Sequence, residues 1–242
     1  MDPSGHRIVV VSGVFLPPSM GSALAKKIQE RVSSRISKYD SAGQAEILVK
    51  LLGWGDQASE DKMVRQYQSF QSGKEHDTCS LEQFIVVGHS DGATAIYRSL
   101  LNGAIGKGAT GGSAGGEGRE FTPAFIGMVD LVRLEYDFAS ANKDKDGGQV
   151  WVPKPKGTTM YAFYETKGTW FPFVGVGYGR PIVGVDKLFR HDDVNHFGIW
   201  KHDGVHETIA EAAAEAYERR IRSDGRPRPW RRGEGMQRGR RW

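Results

Sequence analysis

A short segment, Gly-His-Ser-Asp-Gly at positions 88–92, constrains the fold of this chain more than any other feature. It directly follows the apolar run Phe-Ile-Val-Val at 84–87 and directly precedes a helix-forming stretch at 93–101. A turn this sharp between a buried strand and a helix strains its central residue and needs small residues on either side. The pattern therefore predicts a strand, a tight turn and a helix, with Ser90 at the end of a sheet and the positive helix N-terminus beside it.

The rest of the chain alternates between short apolar runs and segments of helical periodicity. Apolar runs without polar alternation are typical of strands that are buried on both faces of a parallel sheet. Together with the strand before Ser90, they predict an α/β fold with a mostly parallel five-stranded sheet flanked by helices. The further predicted strands cover 8–12, 46–52, 124–129 and 158–164, and the further predicted helices cover 22–37, 60–71 and 205–222.

Two motifs in the chain resemble those of the α/β-hydrolase superfamily of serine esterases and lipases. One is the turn at 88–92, and the other is Asn-His-Phe-Gly-Ile at 195–199. The resemblance covers roughly residues 5–222, and in scale it is similar to the small, cutinase-like members. It implies a parallel sheet with helices on both faces and a catalytic triad in the chain order Ser, acid, His.

The resemblance implies that Ser90 is the nucleophile, which needs a base because a free serine hydroxyl is a poor nucleophile at neutral pH. In the superfamily the histidine lies in the loop before the last helix, which favours His196 and leaves His202 and His191 as alternatives. His89 is a poor candidate, because in a strand end it points away from the side chain of the next residue.

The acid that orients the histidine is less well defined by the sequence. Asp130 ends the strand that follows the nucleophile strand, a position that some lipases of this fold use for the acid. More members place the acid after the next strand, where Glu165 lies, and Asp186 comes further on. We rank Asp130 first as triad acid, with Glu165 and then Asp186 as alternatives. Asp130 could instead cap a loop through backbone N–H groups.

The oxyanion hole is expected to use two backbone N–H groups. One belongs to Asp91, the residue after the nucleophile, and the other to Val14 or Phe15 in the loop after the first strand. Gly13 allows the backbone to bend close to the substrate. The aromatic-rich segment 170–179, between the fifth strand and the histidine, is expected either to contact an acyl substrate or to form a packed hairpin.

Composition divides the chain into a folded domain, 1–222, and a basic tail, 223–242. The chain has 242 residues, of which 38% are hydrophobic, enough for one core. The tail carries seven arginines against two acidic residues and is expected to be disordered. It could bind anionic surfaces or nucleic acid weakly through electrostatics. Cys79 is the one cysteine, so an internal disulfide is excluded.

These observations predict a serine hydrolase that cleaves a small-molecule or lipid ester, or a thioester, through an acyl-enzyme on Ser90. The alternative is a catalytically silent protein of the same fold that binds a ligand or partner. No cofactor motif and no metal-ligand spacing is found in the sequence, so neither a cofactor nor a metal is expected. The first apolar run is too short for a signal peptide, which favours a cytoplasmic location.

Overall fold

A computed structural model describes residues 7–13, 16–37, 48–52, 84–101, 103, 105–106, 122–131, 149–171, 175–177 and 179–223. The strands are β1 (Arg7–Val11), β2 (Leu48–Leu52), β3 (Phe84–His89), β4 (Phe125–Val129), β5 (Val150–Trp151), β6 (Thr159–Glu165), β7 (Thr169–Phe171), β8 (Gly175–Gly177), β9 (Ile182–Val183) and β10 (Lys187–His191). The α-helices are α1 (Ser22–Ile36), α2 (Asp91–Leu101), α3 (His196–Lys201) and α4 (Asp203–Ser223), and a 3-10 helix covers Pro18–Gly21.

The main sheet has six parallel strands in the order β10-β6-β4-β3-β1-β2. Because successive side chains of a strand point to opposite faces, Ile8 and Val10 of β1 pack on one side and Val9 and Val11 on the other. Helices α1 and α4 cover the first side, and α2 covers the second. These four side chains are all buried, which explains why residues 8–11 form an uninterrupted apolar run.

Helices α1 and α4 are also joined by ion pairs along their outer edge. Lys27 and Arg31 of α1 both bond to Glu207, at 2.9 and 3.1 Å, and Arg35 bonds to Glu218 at 3.0 Å. The two pairs of Glu207 are solvent-exposed, and pairs of this kind stabilise a fold by at most about 1 kcal/mol each, whereas Glu218 is buried. Burial of the apolar seam beneath them, which includes Ile28, supplies most of the stability of this contact.

The predicted α/β sheet is confirmed, and all five predicted strands lie in it. A sixth strand, β10, extends the sheet at one edge and was not foreseen. Its sequence, Lys-Leu-Phe-Arg-His, has two adjacent apolar residues between polar ones and is largely exposed, so it lacks the apolar run of a central strand. The predicted helix at 60–71 lies outside the described residues.

The last helix, α4, continues to Ser223. The predicted domain boundary after residue 222 stays a prediction, because residues 224–242 lie outside the part of the chain that the structure describes. Within that part, none of the helices has both the length and the apolar character needed to cross a bilayer. The expected cytoplasmic location also stays a prediction.

Candidate catalytic site

Ser90 forms the tight turn between β3 and α2. Its φ is +57°, in the left-handed region that few non-glycine residues adopt, and its side chain is only 4% exposed. Its N–H donates to the carbonyl oxygen of Val129 at 3.0 Å. A Cβ on Gly88 would lie 2.5 Å from the carbonyl oxygen of Gly92, and one on Gly92 would lie 2.5 Å from that of Val11. Both positions therefore require glycine, because the backbone of a neighbouring segment occupies the space that a Cβ atom would need.

Asp130 ends the neighbouring strand, β4, and has a similarly unusual backbone conformation. Its φ is +52°, and its side chain is fully buried. Because β3 and β4 are parallel and His89 lies opposite Val129, Ser90 and Asp130 leave the sheet side by side. Asp130 Oδ1 accepts a hydrogen bond from the N–H of Glu165 at 3.1 Å.

His196 is the first residue of α3 and contacts the Asp130 carboxylate. Its Nδ1 is hydrogen-bonded to Asp130 Oδ2. Its backbone is held on both sides by side chains: its N–H donates to Thr169 Oγ1 at 2.8 Å, and its carbonyl oxygen accepts from His89 Nε2 at 3.0 Å. The structure therefore joins Asp130 and His196 directly and places Ser90 at the end of the strand next to that of Asp130.

His89 is buried against His196 and contacts both its ring and its backbone. Its fully buried ring is 4.5 Å from the ring of His196 and stacks at 4.9 Å on Trp200. Burial, followed by the charge that His196 can carry, holds the pKa of His89 well below its ordinary value. A neutral imidazole must therefore carry its proton on Nε2 to donate to the His196 carbonyl oxygen.

Asp91 begins α2, so its N–H lies at the helix end where backbone donors have no intrahelical acceptor. The other predicted oxyanion donors, Val14 and Phe15, lie outside the described residues. Gly13, just before them, is described: a Cβ there would be 2.3 Å from Ser90 Cβ and 3.0 Å from the His89 carbonyl oxygen. The backbone after β1 therefore contacts the serine directly.

The alternative residues are placed differently. Asp186 accepts from the N–H of Met160 at 2.9 Å and pairs with Lys154. Met160 is near the amino end of β6, and five residues of extended strand, roughly 16 Å, separate it from Glu165 at the carboxyl end. Asp186 therefore does not reach His196.

Glu165 lies beside Asp130, but its own side chain accepts from the N–H of Gly168 at 2.6 Å. The rings of His191 and His202 lie 5.4 Å from each other. Among the three candidate histidines, His196 is the one whose ring bonds to the Asp130 carboxylate.

The segment 170–179 contains a hairpin, in which β7 pairs antiparallel with β8. Both ends of this hairpin contact the site. Thr169, at the start of β7, accepts the His196 N–H. Gly179, after β8, lies so close to the acid that a Cβ there would be 1.8 Å from Asp130 Oδ1. Sequence reasoning missed both residues, since neither carries a catalytic group.

Among the described residues, no cluster of three or more His, Cys, Asp or Glu side chains could hold a metal ion. The site offers acid–base and nucleophilic side chains, together with the N-terminus of α2.

No protein-family model and no curated protein sequence matches this chain. Several solved structures are similar to it. A thioesterase from the prodiginine biosynthetic pathway in Streptomyces coelicolor is 13% identical, with 86% of each chain covered and a TM-score of 0.44. An esterase/lipase from an uncultured bacterium is 11% identical, with 90% of this chain and 78% of that chain covered and a TM-score of 0.48. An extracellular alpha/beta-hydrolase from a Paenibacillus species is 12% identical, with 87% and 98% covered and a TM-score of 0.44.

Proposed function

We propose that this chain is a serine hydrolase of the α/β-hydrolase type, which cleaves carboxylic esters through an acyl-enzyme on Ser90. The observation that carries the proposal is the hydrogen bond between the buried Asp130 carboxylate and Nδ1 of His196, beside the strained turn of Ser90. Strained backbone at a residue with a nucleophilic side chain is typical of active sites, where the surrounding structure must hold it. The positive φ values at two adjacent strand ends support this assignment.

The proposed reaction has two stages, acylation of Ser90 and hydrolysis of the acyl-enzyme. Ser90 Oγ attacks the ester carbonyl carbon while its proton passes to His196 Nε2, and Asp130 stabilises the imidazolium that forms. The tetrahedral oxyanion is stabilised by the N–H of Asp91 and by the N-terminus of α2. Collapse breaks the bond to the leaving alkoxide, which takes the proton from His196 and departs as the alcohol. A water molecule, deprotonated by His196, then attacks the acyl-enzyme, and the carboxylic acid leaves with Ser90 restored.

We propose small-molecule or lipid esters as substrates, and thioesters also fit this chemistry. All of them present an acyl carbonyl with a leaving group whose departure needs one proton from His196. The similar solved structures include a thioesterase and an esterase/lipase. That likeness does not choose among the three substrate classes.

Covalent labelling tests the nucleophile. A fluorophosphonate probe should label the wild-type protein, and short acyl nitrophenyl esters should be hydrolysed. Ser90→Ala should abolish labelling and lower the hydrolysis rate by several powers of ten, with an unchanged circular dichroism spectrum. Ser99→Ala is a matched control, because Ser99 lies on α2 about 13 Å further along the same helix and is buried. If the Ser90→Ala variant keeps activity within about threefold of wild type, Ser90 is not the nucleophile.

A second substitution tests the acid. Asp130→Asn should lower kcat by about a thousandfold or more, because the amide no longer holds the required histidine tautomer. Asp186→Asn, at the opposite end of the sheet, is the matched control and should keep wild-type kcat. A folded wild-type protein that neither labels nor hydrolyses any ester would instead favour the catalytically silent alternative.

A further inference from the structure

A second buried carboxyl group lies next to Asp130, and the proposed reaction does not use it. The Glu165 side chain is 0% exposed, although it ends a strand at the edge where the site lies. Its backbone N–H donates to Asp130 Oδ1 at 3.1 Å. Its Oε2 accepts from the N–H of Gly168 at 2.6 Å, while Oε1 has no partner among the described residues. Burying such a group is costly, so its retention at this place calls for a role.

The turn that Glu165 closes leads directly to the catalytic histidine. The bond from the Gly168 N–H to Glu165 Oε2 spans three residues and fixes the direction in which the chain leaves β6. The next residue is Thr169, which is buried and whose Oγ1 accepts the backbone N–H of His196 at 2.8 Å. One turn therefore contacts the acid through the Glu165 N–H at its start and the histidine through Thr169 at its end.

We propose that Glu165 and Thr169 are positioning residues of the hydrolase. By closing this turn they fix the position of Asp130 relative to His196; the inference rests on the proposed function. Glu165 acts through its bond to the Gly168 N–H, and Thr169 acts through its bond to the His196 N–H. Neither residue exchanges a proton with the substrate. Misplacing a reacting group by about 1 Å can cost about a hundredfold in rate, so small displacements of this turn matter.

Two observations distinguish a positioning role of Glu165 from the role of the triad acid. His196 Nδ1 is already bonded to Asp130 Oδ2, and Glu165 Oε2 is already bonded to the Gly168 N–H. Burial, and next the negative charge of Asp130, raises the pKa of Glu165, because two adjacent carboxyl groups do not both ionise readily.

Conservative and truncating variants test the proposal with a kinetic readout. Glu165→Gln keeps an oxygen that can accept from the Gly168 N–H and should retain kcat within about threefold, whereas Glu165→Ala should lower kcat about ten- to a hundredfold with KM unchanged. Thr169→Val removes only the acceptor and should show the same loss of kcat at unchanged KM. Thr169→Ser restores the hydroxyl and should restore kcat.

The outcomes are distinguishable. Glu165→Gln with the thousandfold loss expected of Asp130→Asn would make Glu165 an ionised catalytic acid and overturn the proposal. Wild-type kcat in Thr169→Val, in a protein that still labels with fluorophosphonate, would overturn it as well, while leaving the hydrolase proposal intact. If Glu165→Ala does not fold, the Thr169→Val and Thr169→Ser pair decides. A wild-type protein that neither labels nor hydrolyses would remove the proposed function and this inference with it.

Discussion

Gly13 provides a direct test of how closely the backbone after β1 must approach the nucleophile. A Cβ at position 13 would lie 2.3 Å from Ser90 Cβ and 2.9 Å from Ser90 Oγ. Carbon atoms in ordinary contact are about 3.5 Å apart or more, so in Gly13→Ala the two segments must separate by about 1 Å. A displacement of this size at a reacting group costs about a hundredfold in rate, equivalent to about 2.7 kcal/mol of transition-state stabilisation.

We therefore expect Gly13→Ala to lower kcat/KM for a nitrophenyl ester about a hundredfold. Overpacking should also lower the free energy of unfolding by about 1–3 kcal/mol, measured by urea denaturation. Gly204→Ala is the matched control: Gly204 is exposed in the first turn of α4, and its new Cβ would meet only the ring of His202, at 3.0 Å. A folded Gly13→Ala protein with activity within about threefold of wild type would refute the reasoning.

Three further predictions concern other parts of the chain. Gly179→Ala places a Cβ 1.8 Å from Asp130 Oδ1, so kcat should fall while the rate for Gly204→Ala does not; equal rates would contradict this. Burial lowers the pKa of His206, whose Nε2 donates to the Trp200 carbonyl oxygen at 2.6 Å. The neutral His206 therefore makes its full contribution to the free energy of unfolding above about pH 6.5, which is the pKa of histidine in the unfolded chain. That contribution is lost as the pH falls toward the lower pKa of His206 in the folded protein. His206→Gln keeps a donor without a titration, and its Tm should fall less between pH 7 and 5; an unchanged slope would be evidence against this. Truncation after Ser223 should leave ester turnover unchanged and should remove any salt-sensitive binding to anionic vesicles or nucleic acid, as measured by co-sedimentation. Binding that survives truncation would place that site on the folded domain.

The central strands and the turn of Ser90 were predictable because their signals are local. An apolar run such as Val9–Val11 identifies a strand buried on both faces, and the two glycines around Ser90 are needed for backbone contacts within a few residues or with the neighbouring strand. The nucleophile's position in the fold follows from the order of these elements along the chain. The catalytic roles of Ser90, His196 and Asp130 stay predictions.

The choice of acid could only be ranked from sequence, because it depends on contacts between distant residues. Asp130 and Glu165 end neighbouring strands, and which carboxyl group faces His196 is decided by the left-handed conformation of Asp130 and the turn closed by Glu165. No local pattern encodes a positive φ at an aspartate. The six-residue helix α3 and the polar edge strand β10 were missed because each is too short or too exposed to show a clear period.

The contact between α1 and α4 also has a consequence for synthesis on the ribosome. Lys27 and Arg35 meet partners 180 and 183 residues later in the chain. Until those residues emerge, the apolar face of α1 lacks its cover, although Ser90, Asp130 and His196 are all translated before them. A nascent chain that stops before α4 contains all three candidate catalytic residues but exposes a hydrophobic stripe on α1, so a chaperone that binds apolar helices should associate with it until α4 is released.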